Sequence, residues 1–220
     1  RVNLTFILFG AAVFGALREN IPGKKYWLMF AAVFPFLAAW LLFGGFGLEP
    51  VPTGKLGGIL LTLVVAVTGI SFSLPLGIAL ALGRRSRLPV LRAICVIFIE
   101  FIRGVPLITL LFVASTMLTY FLPPGSSFDL LMRVLIMVTL FAAAYIAEVV
   151  RGGLQGLSSG QYEAADALGL TYWQSHRLII LPQALKISIP GIVNTFIGSY
   201  KDSVLVLIIG MMDILGLGRA

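Results

Sequence analysis

Long apolar runs alternate with short polar connections along this chain. The runs cover residues 4–17, 26–46, 56–82, 93–122 and 129–150, and a sixth begins at about Ala184. A helix needs about 20 apolar residues to cross the hydrocarbon core, and most of these runs approach or exceed that length. They are continuous rather than alternating, so they predict helices and not the strands of a membrane barrel. Between them lie "RENIPGKK", the Pro/Gly turn "GLEPVPTGK", the basic loop "GRRSRLPVLR" and "PPGSS". One stretch does not fit: residues 151–182 are polar and Ala-rich, carry a Gly and a Pro, and sit between two spans.

Composition agrees with the pattern. Of 220 residues 59% are hydrophobic and 11% charged, with mean hydropathy +1.04. A soluble domain carries roughly 25% charged residues, so this chain cannot cover a water-facing surface. It is expected to be an all-α, multi-pass integral membrane protein in contact with lipid. The net charge of +7 does not call for nucleic acid, because basic residues flanking spans set topology on the cytoplasmic side. No basic run exceeds Arg84, Arg85 and Arg87. With a single cysteine, Cys95, and a single histidine, His176, neither a disulfide nor a Cys/His metal site is expected. The chain starts at Arg1 without an initiator Met and shows no signal-peptide pattern. It reads as part of a longer protein.

Lys and Arg fall unevenly between the two sets of connections. One set holds Arg18, Lys24, Lys25, Arg84, Arg85, Arg87, Arg92, Arg151, Arg177 and Lys186; the other holds Lys55, Arg133 and Arg1. The first set is assigned to the cytoplasm, and residues 151–182 go with it. Pro35, Gly69, Pro75, Pro106 and Pro190 lie inside spans, where kinked helices are tolerated if neighbours or cavity water satisfy the backbone.

Within the polar segment, "SSGQYEAADALG" predicts a short helix. Ser158 or Ser159 is its N-cap, Glu163 suits its positive end, and Gly169 occupies the C′ position. Ala164, Ala165 and Ala167 offer a small-residue surface that a second protein can approach closely. A helix resting on lipid would instead show bulky apolar and basic residues.

The stretch Glu163, Ala164, Ala165, then Gly169, Ile179 and Leu181-Pro182 resembles the EAA motif of ATP-binding-cassette importer permeases. "EFIRGVPLITLLF", "AAYIAEVVRGGLQGLSSGQYEAADALGL" and "IILPQALKISIPGIVNTFIGSYKDSVLVLIIG" are similar to the polar amino-acid branch, and most of all to its broad-specificity L-amino-acid importers. The resemblance covers about residues 55–218, with 1–54 as additional N-terminal spans. It implies a type I importer-like transmembrane domain in a bacterial inner membrane, with a coupling helix (Glu163, Ala164, Ala165, Leu168, Gly169) that docks on a cytoplasmic ATPase. It also implies a second permease, identical or related, two ATP-binding subunits that hold ATP and Mg, and an external amino-acid-binding protein. In this reading Gly169 and Pro182 turn the chain back into the bilayer. The family core has a further span beyond "KDSVLVLIIGMMDILG", so residues 55–220 are expected to lack that last span.

Ionisable residues within spans are costly and mark function by default. Glu100 and Arg103, spaced i, i+3, are expected to pair on one helix face or to line the pathway. Glu148 either snorkels or pairs with Arg151, and Tyr145, one turn deeper, faces a cavity or the core. Lys201, Asp202 and Ser203, placed at an expected helix break roughly 25 Å along the sixth span, either meet a zwitterionic substrate or pair to hold the break. No "GxxxxGK[ST]" occurs, so the chain has no phosphate cradle of its own, and no cofactor is expected in it. The alternative is a secondary transporter or channel subunit driven by an ion gradient through Glu100, Arg103 and Asp202.

Overall fold

A computed structural model describes residues 57–117, 120 and 129–211. The chain divides into two units at Leu56, and every described residue belongs to the second, Gly57–Ala220. The N-terminal spans expected at 4–17 and 26–46 lie outside the described residues, as do "PPGSS" and residues 212–220.

The described residues form α1 (Gly58–Arg84), α2 (Pro89–Gly104), α3 (Leu107–Phe112) running into a π turn over Val113–Met117, α4 (Leu130–Gln155), the short α5 (Ser159–Ala167) and α6 (Tyr172–Ser175). A second π turn (His176–Ile180) leads into α7 (Leu181–Asp202), which tightens to a 3₁₀ segment over Ser203–Ile209. Three stretches are long and apolar enough to cross a membrane: α1, α4 and the helical rod Tyr172–Ile209.

α4 is the hub, and α1, α2 and α7 all pack on it. Lipid removes the hydrophobic drive that joins helices in water, so close backbone approach has to supply the packing. The sequence provides small residues for it. Gly77 of α1 lies where a Cβ would stand 2.7 Å from Ile146 Cγ2 and 2.9 Å from the Ala143 carbonyl oxygen. Gly153 of α4 lies against the Ala184 carbonyl and Ser188 of α7. Ala142, Ala143, Ala144 and Ala147 are buried between these contacts.

Two expectations need correction. The span expected within 93–122 is not one rod: α2 and the helix after it meet at 102°. Pro106 causes this, because a residue before proline is pushed out of the helical region; Val105 is extended at φ −104°, ψ 132°. The turn back into the bilayer is likewise not at Pro182. Helix resumes at Tyr172, and the 38-residue rod Tyr172–Ile209 measures roughly 57 Å at 1.5 Å per residue, so its first turns stand outside the roughly 30 Å hydrocarbon layer. The missing proline N–H is accommodated by the preceding π turn instead of by a break.

This topology places Ser86 and Ser159 at one end of the bundle and Asp129 at the other. In a Cys95→Ala background, cysteines at Ser86 and Ser159 should react with an impermeant maleimide only from the cytoplasmic side. A cysteine at Asp129 should react only from outside. Labelling of Asp129 and Ser159 from one side would refute the arrangement.

Candidate functional site

At the end of the bundle where α1 stops, three helices bring their charges together. Glu148 of α4 is the centre. Arg84 Nη1, on the last residue of α1, donates to Glu148 Oε1 at 2.5 Å and to Glu100 Oε1 of α2 at 2.9 Å. Arg151 grips Glu148 from one turn on, with Nε 2.9 Å and Nη2 2.8 Å from Oε2. Arg103 Nη1 lies 3.6 Å from the same oxygen, and its guanidinium covers the Tyr145 ring at 5.5 Å. Bidentate arginine–carboxylate geometry of this kind holds orientation as well as charge.

The expected Glu100–Arg103 pair is therefore not made: among the described residues no ion pair joins them. Although i, i+3 spacing permits contact, each finds a partner on a neighbouring helix, Arg84 for Glu100 and Glu148 for Arg103. The Glu148–Arg151 pair is present as one edge of a larger lattice. Tyr145 belongs with this lattice; its ring also meets Phe141 at 4.9 Å. Arg84 had been read only as a topology residue. The signal that exposes it is physical: glutamates near a membrane interior need cations, and "GRRSR" at the end of the preceding span supplies them.

Beside the lattice, α5 ends as its sequence requires. The Leu170 N–H donates to the Ala165 carbonyl at 3.2 Å and the Gly169 N–H to that of Asp166 at 2.9 Å, with Gly169 at φ +68°. This is a Schellman cap. Ser158 is the N-cap residue, but its side chain makes no capping bond.

The alanine surface divides in two. Ala165 is fully buried against the rest of the chain, whereas Ala164 and Ala167 are exposed, so Ala165 is a packing contact and the outward face is narrower than expected. That face carries Glu163, Ala164, Ala167 and Gly169, flanked by Leu168 and Trp173, each 73% exposed. Trp173 is a member the sequence reading missed. Its signal was a large aromatic side chain in a polar stretch, "LTYWQSHR".

Two struts fasten α5 to the spans, and both went unread in the sequence. Arg85 donates to the Tyr162 hydroxyl at 3.1 Å and to the Leu154 carbonyl at 3.3 Å, joining α5 to the ends of α1 and α4. Gln183 Nε2 donates to Gln161 Oε1 at 2.8 Å, joining α5 to α7. α5 is thus bonded directly to the ends of α1 and α4 and to α7.

The far group is different. α7 runs without a gap through Lys201 and Asp202, and the expected break is only a tightening of pitch from Ser203. Lys201 is exposed and Asp202 half-buried, and among the described residues no ion pair joins them. Ser203 is fully buried, its hydroxyl donating to the Tyr200 carbonyl at 2.7 Å. The described residues contain no group of His, Cys, Asp and Glu able to hold a metal ion.

Residues 73–218 match the profile of the family described as binding-protein-dependent transport system inner membrane component. The chain is 61% identical over 193 residues to the glutamate/glutamine/aspartate/asparagine transport system permease protein BztC of Rhodobacter capsulatus, covering 88% of this chain and 44% of that protein. It is 51% identical over 216 residues to the inner membrane amino-acid ABC transporter permease protein YhdY of Escherichia coli, covering 97% and 59%. It therefore spans about half the length of these relatives. A crystal structure of an amino acid ABC transporter with histidines aligns at a TM-score of 0.65 and 30% identity, over 74% of each chain. With this matched core and these membrane helices, the chain belongs to the family of binding-protein-dependent transport system inner membrane components.

Proposed function

We propose that this chain is the permease subunit of an ATP-driven importer of L-amino acids and that α5 is its coupling helix. The observation that carries the reading is the outward face of α5. A nine-residue helix, capped at Gly169 and strutted to α1, α4 and α7, presents small residues ringed by exposed Leu168 and Trp173. Large exposed apolar groups around a small-residue patch mark a protein interface, and the struts give whatever docks there a mechanical path into the membrane. The partners in this reading are two cytoplasmic ATPases holding ATP and Mg, a second permease and an external binding protein; the chain itself does no chemistry on the nucleotide. The relatives' names, which include glutamate, glutamine, aspartate and asparagine transport, support amino acids as cargo. Lys201, Asp202 and Ser203 are the proposed pathway group, with Lys201 offering a charge-assisted bond to a passing carboxylate.

The test is uptake by the intact complex in proteoliposomes. Uptake should need internal ATP and be unaffected by a proton uncoupler. Collapse of uptake with the proton gradient alone would favour the ion-driven alternative. In the same assay Lys201→Met, which breaks no ion pair among the described residues, should assemble normally and lose most uptake. Normal uptake would remove Lys201 from the pathway.

A further inference from the structure

Beside the Glu148 lattice lies a cleft of about 380 Å³ lined by Arg84, Arg85, Arg92, Val96, Arg151 and Gln155. Three helix ends build it. Arg84 and Arg85 close α1, Arg92 is in the first turn of α2, and Arg151 and Gln155 lie in the last turns of α4. Residues 85–88, which join α1 to α2, are not helical. Hydrocarbon cannot solvate such a backbone, so the cleft belongs to the wet rim of the bundle.

Its polar wall offers hydrogen-bond donors and almost no free acceptor. Among the described residues, Arg84 and Arg85 each donate through Nη1 alone, so the Nε and Nη2 groups of both are spare. Arg92 makes no side-chain hydrogen bond or ion pair among the described residues. Gln155 Oε1 already accepts from Arg151 Nη1 at 2.7 Å, which leaves the Gln155 amide NH₂ to donate. Charge is out of balance as well. Arg84, Arg85, Arg92, Arg103 and Arg151 stay protonated, and only Glu100 and Glu148 offset them in the lattice. Three positive charges are left over.

We propose that this cleft is a phosphate site, taking a phosphoryl oxyanion from aqueous solution. Arg92 holds it together with the spare N–H groups of Arg84 and Arg85 and the Gln155 amide. The guanidinium fork fits carboxylate and phosphate alike, but the donors here come from three helices. A planar carboxylate has two oxygens to share among them, whereas a phosphoryl group has three, splayed in space. Glu148 fixes Arg84, and Tyr162 and Leu154 fix Arg85, so little side-chain ordering opposes binding. Arg92 is the uncommitted arm. The site rests on neither the coupling role nor the cargo, and its failure would leave both standing.

The experiment uses the assembled transporter in neutral detergent, with radiolabelled inorganic phosphate bound by equilibrium dialysis at fixed ionic strength in chloride. Phosphate held by other subunits is common to every variant, so the comparison isolates the cleft. Arg92→Gln should weaken binding at this site about tenfold, the loss of one charge-assisted contact. It should also abolish most of the rise in thermal midpoint that phosphate gives the wild type over chloride. Arg87→Gln removes the same charge from the same connection but lies outside the cleft, and should bind as the wild type does. L-Glutamate and dioleoylphosphatidylglycerol should each leave bound phosphate in place. Equal binding by Arg92→Gln and wild type, or an equal loss in Arg87→Gln, would overturn the proposal. Displacement by glutamate would make this a carboxylate site, and displacement by phosphatidylglycerol a lipid site; either would overturn it too. So would cross-linking of a photoreactive group at residue 92 to another subunit, because protein would then cover the cleft.

Discussion

Replacement of Gly169 by valine should leave the chain inserted and assembled while lowering substrate-stimulated ATP hydrolysis of the complex at least tenfold. Gly169 sits at φ +68°, and a Cβ built there meets nothing within 4 Å, so the defect is conformational and not a clash. An L-residue in the left-handed region costs about 1–2 kcal/mol, and a β-branched one more. The cheapest escape is to give up the two capping bonds from Gly169 and Leu170. Loss of the cap frays a helix of nine residues, which is too short to persist alone in water. Leu168 and Trp173 would then lose their fixed relation to Ala164 and Ala167. Gly169→Asn is the control, since asparagine tolerates this conformation; it should keep most of the stimulation. If valine couples as well as asparagine, the cap has no part in transmission.

Glu148→Gln should be the most damaging single change in the charge lattice. Only 15% of the Glu148 side chain is accessible, and three arginines converge on it. Its neutralisation leaves Arg84, Arg103 and Arg151 repelling one another, with only Glu100 nearby. Stripping one partner from a fully buried pair costs about 3–5 kcal/mol. The arginines here keep some access to water, so about 2 kcal/mol is expected, read as a lower thermal midpoint and less folded protein in detergent extracts. Glu100→Gln, at a side chain 54% accessible, should cost less than about 1 kcal/mol. Removing one repelling charge as well, in Glu148→Gln with Arg103→Gln, should restore part of the loss. Equal stability of the Glu148 and Glu100 single variants would show that the lattice does not hold the three helices together.

Much of this protein is local and was therefore legible in its residues. Hydrophobic runs of membrane length dictate helices because lipid cannot solvate an unpaired backbone, and α1 and α4 fall close to where the runs place them. The short helix α5 announces itself because its C-terminal cap is local: the Gly169 conformation and the bonds from Gly169 to Asp166 and from Leu170 to Ala165 involve only neighbours in sequence. Lys/Arg counting set the orientation adopted here from composition alone. The 102° bend at Pro106 was half visible. The proline is plain, but whether helix continues through a proline, as it does at Pro75 and Pro190 inside α1 and α7, or breaks depends on what lies around it.

Partner choice could not be read this way. Glu100 and Arg103 have ideal spacing to pair, yet Arg84 and Glu148, 16 and 45 positions away, win them because helix packing brings these groups to one level of the bundle. Ala164 and Ala165 are identical in type, and only the side on which α5 meets the body makes one a surface and the other a core residue. Arg92 reads as one more topology charge, and only the packing of α1, α2 and α4 sets it in one cleft with Arg84, Arg85 and Arg151. Sequence alone determined the long helices α1 and α4, the Gly169 cap of α5 and the family resemblance. Tertiary structure decided which charges meet and which faces stay open, because those contacts cross the bundle between residues that the chain itself holds far apart.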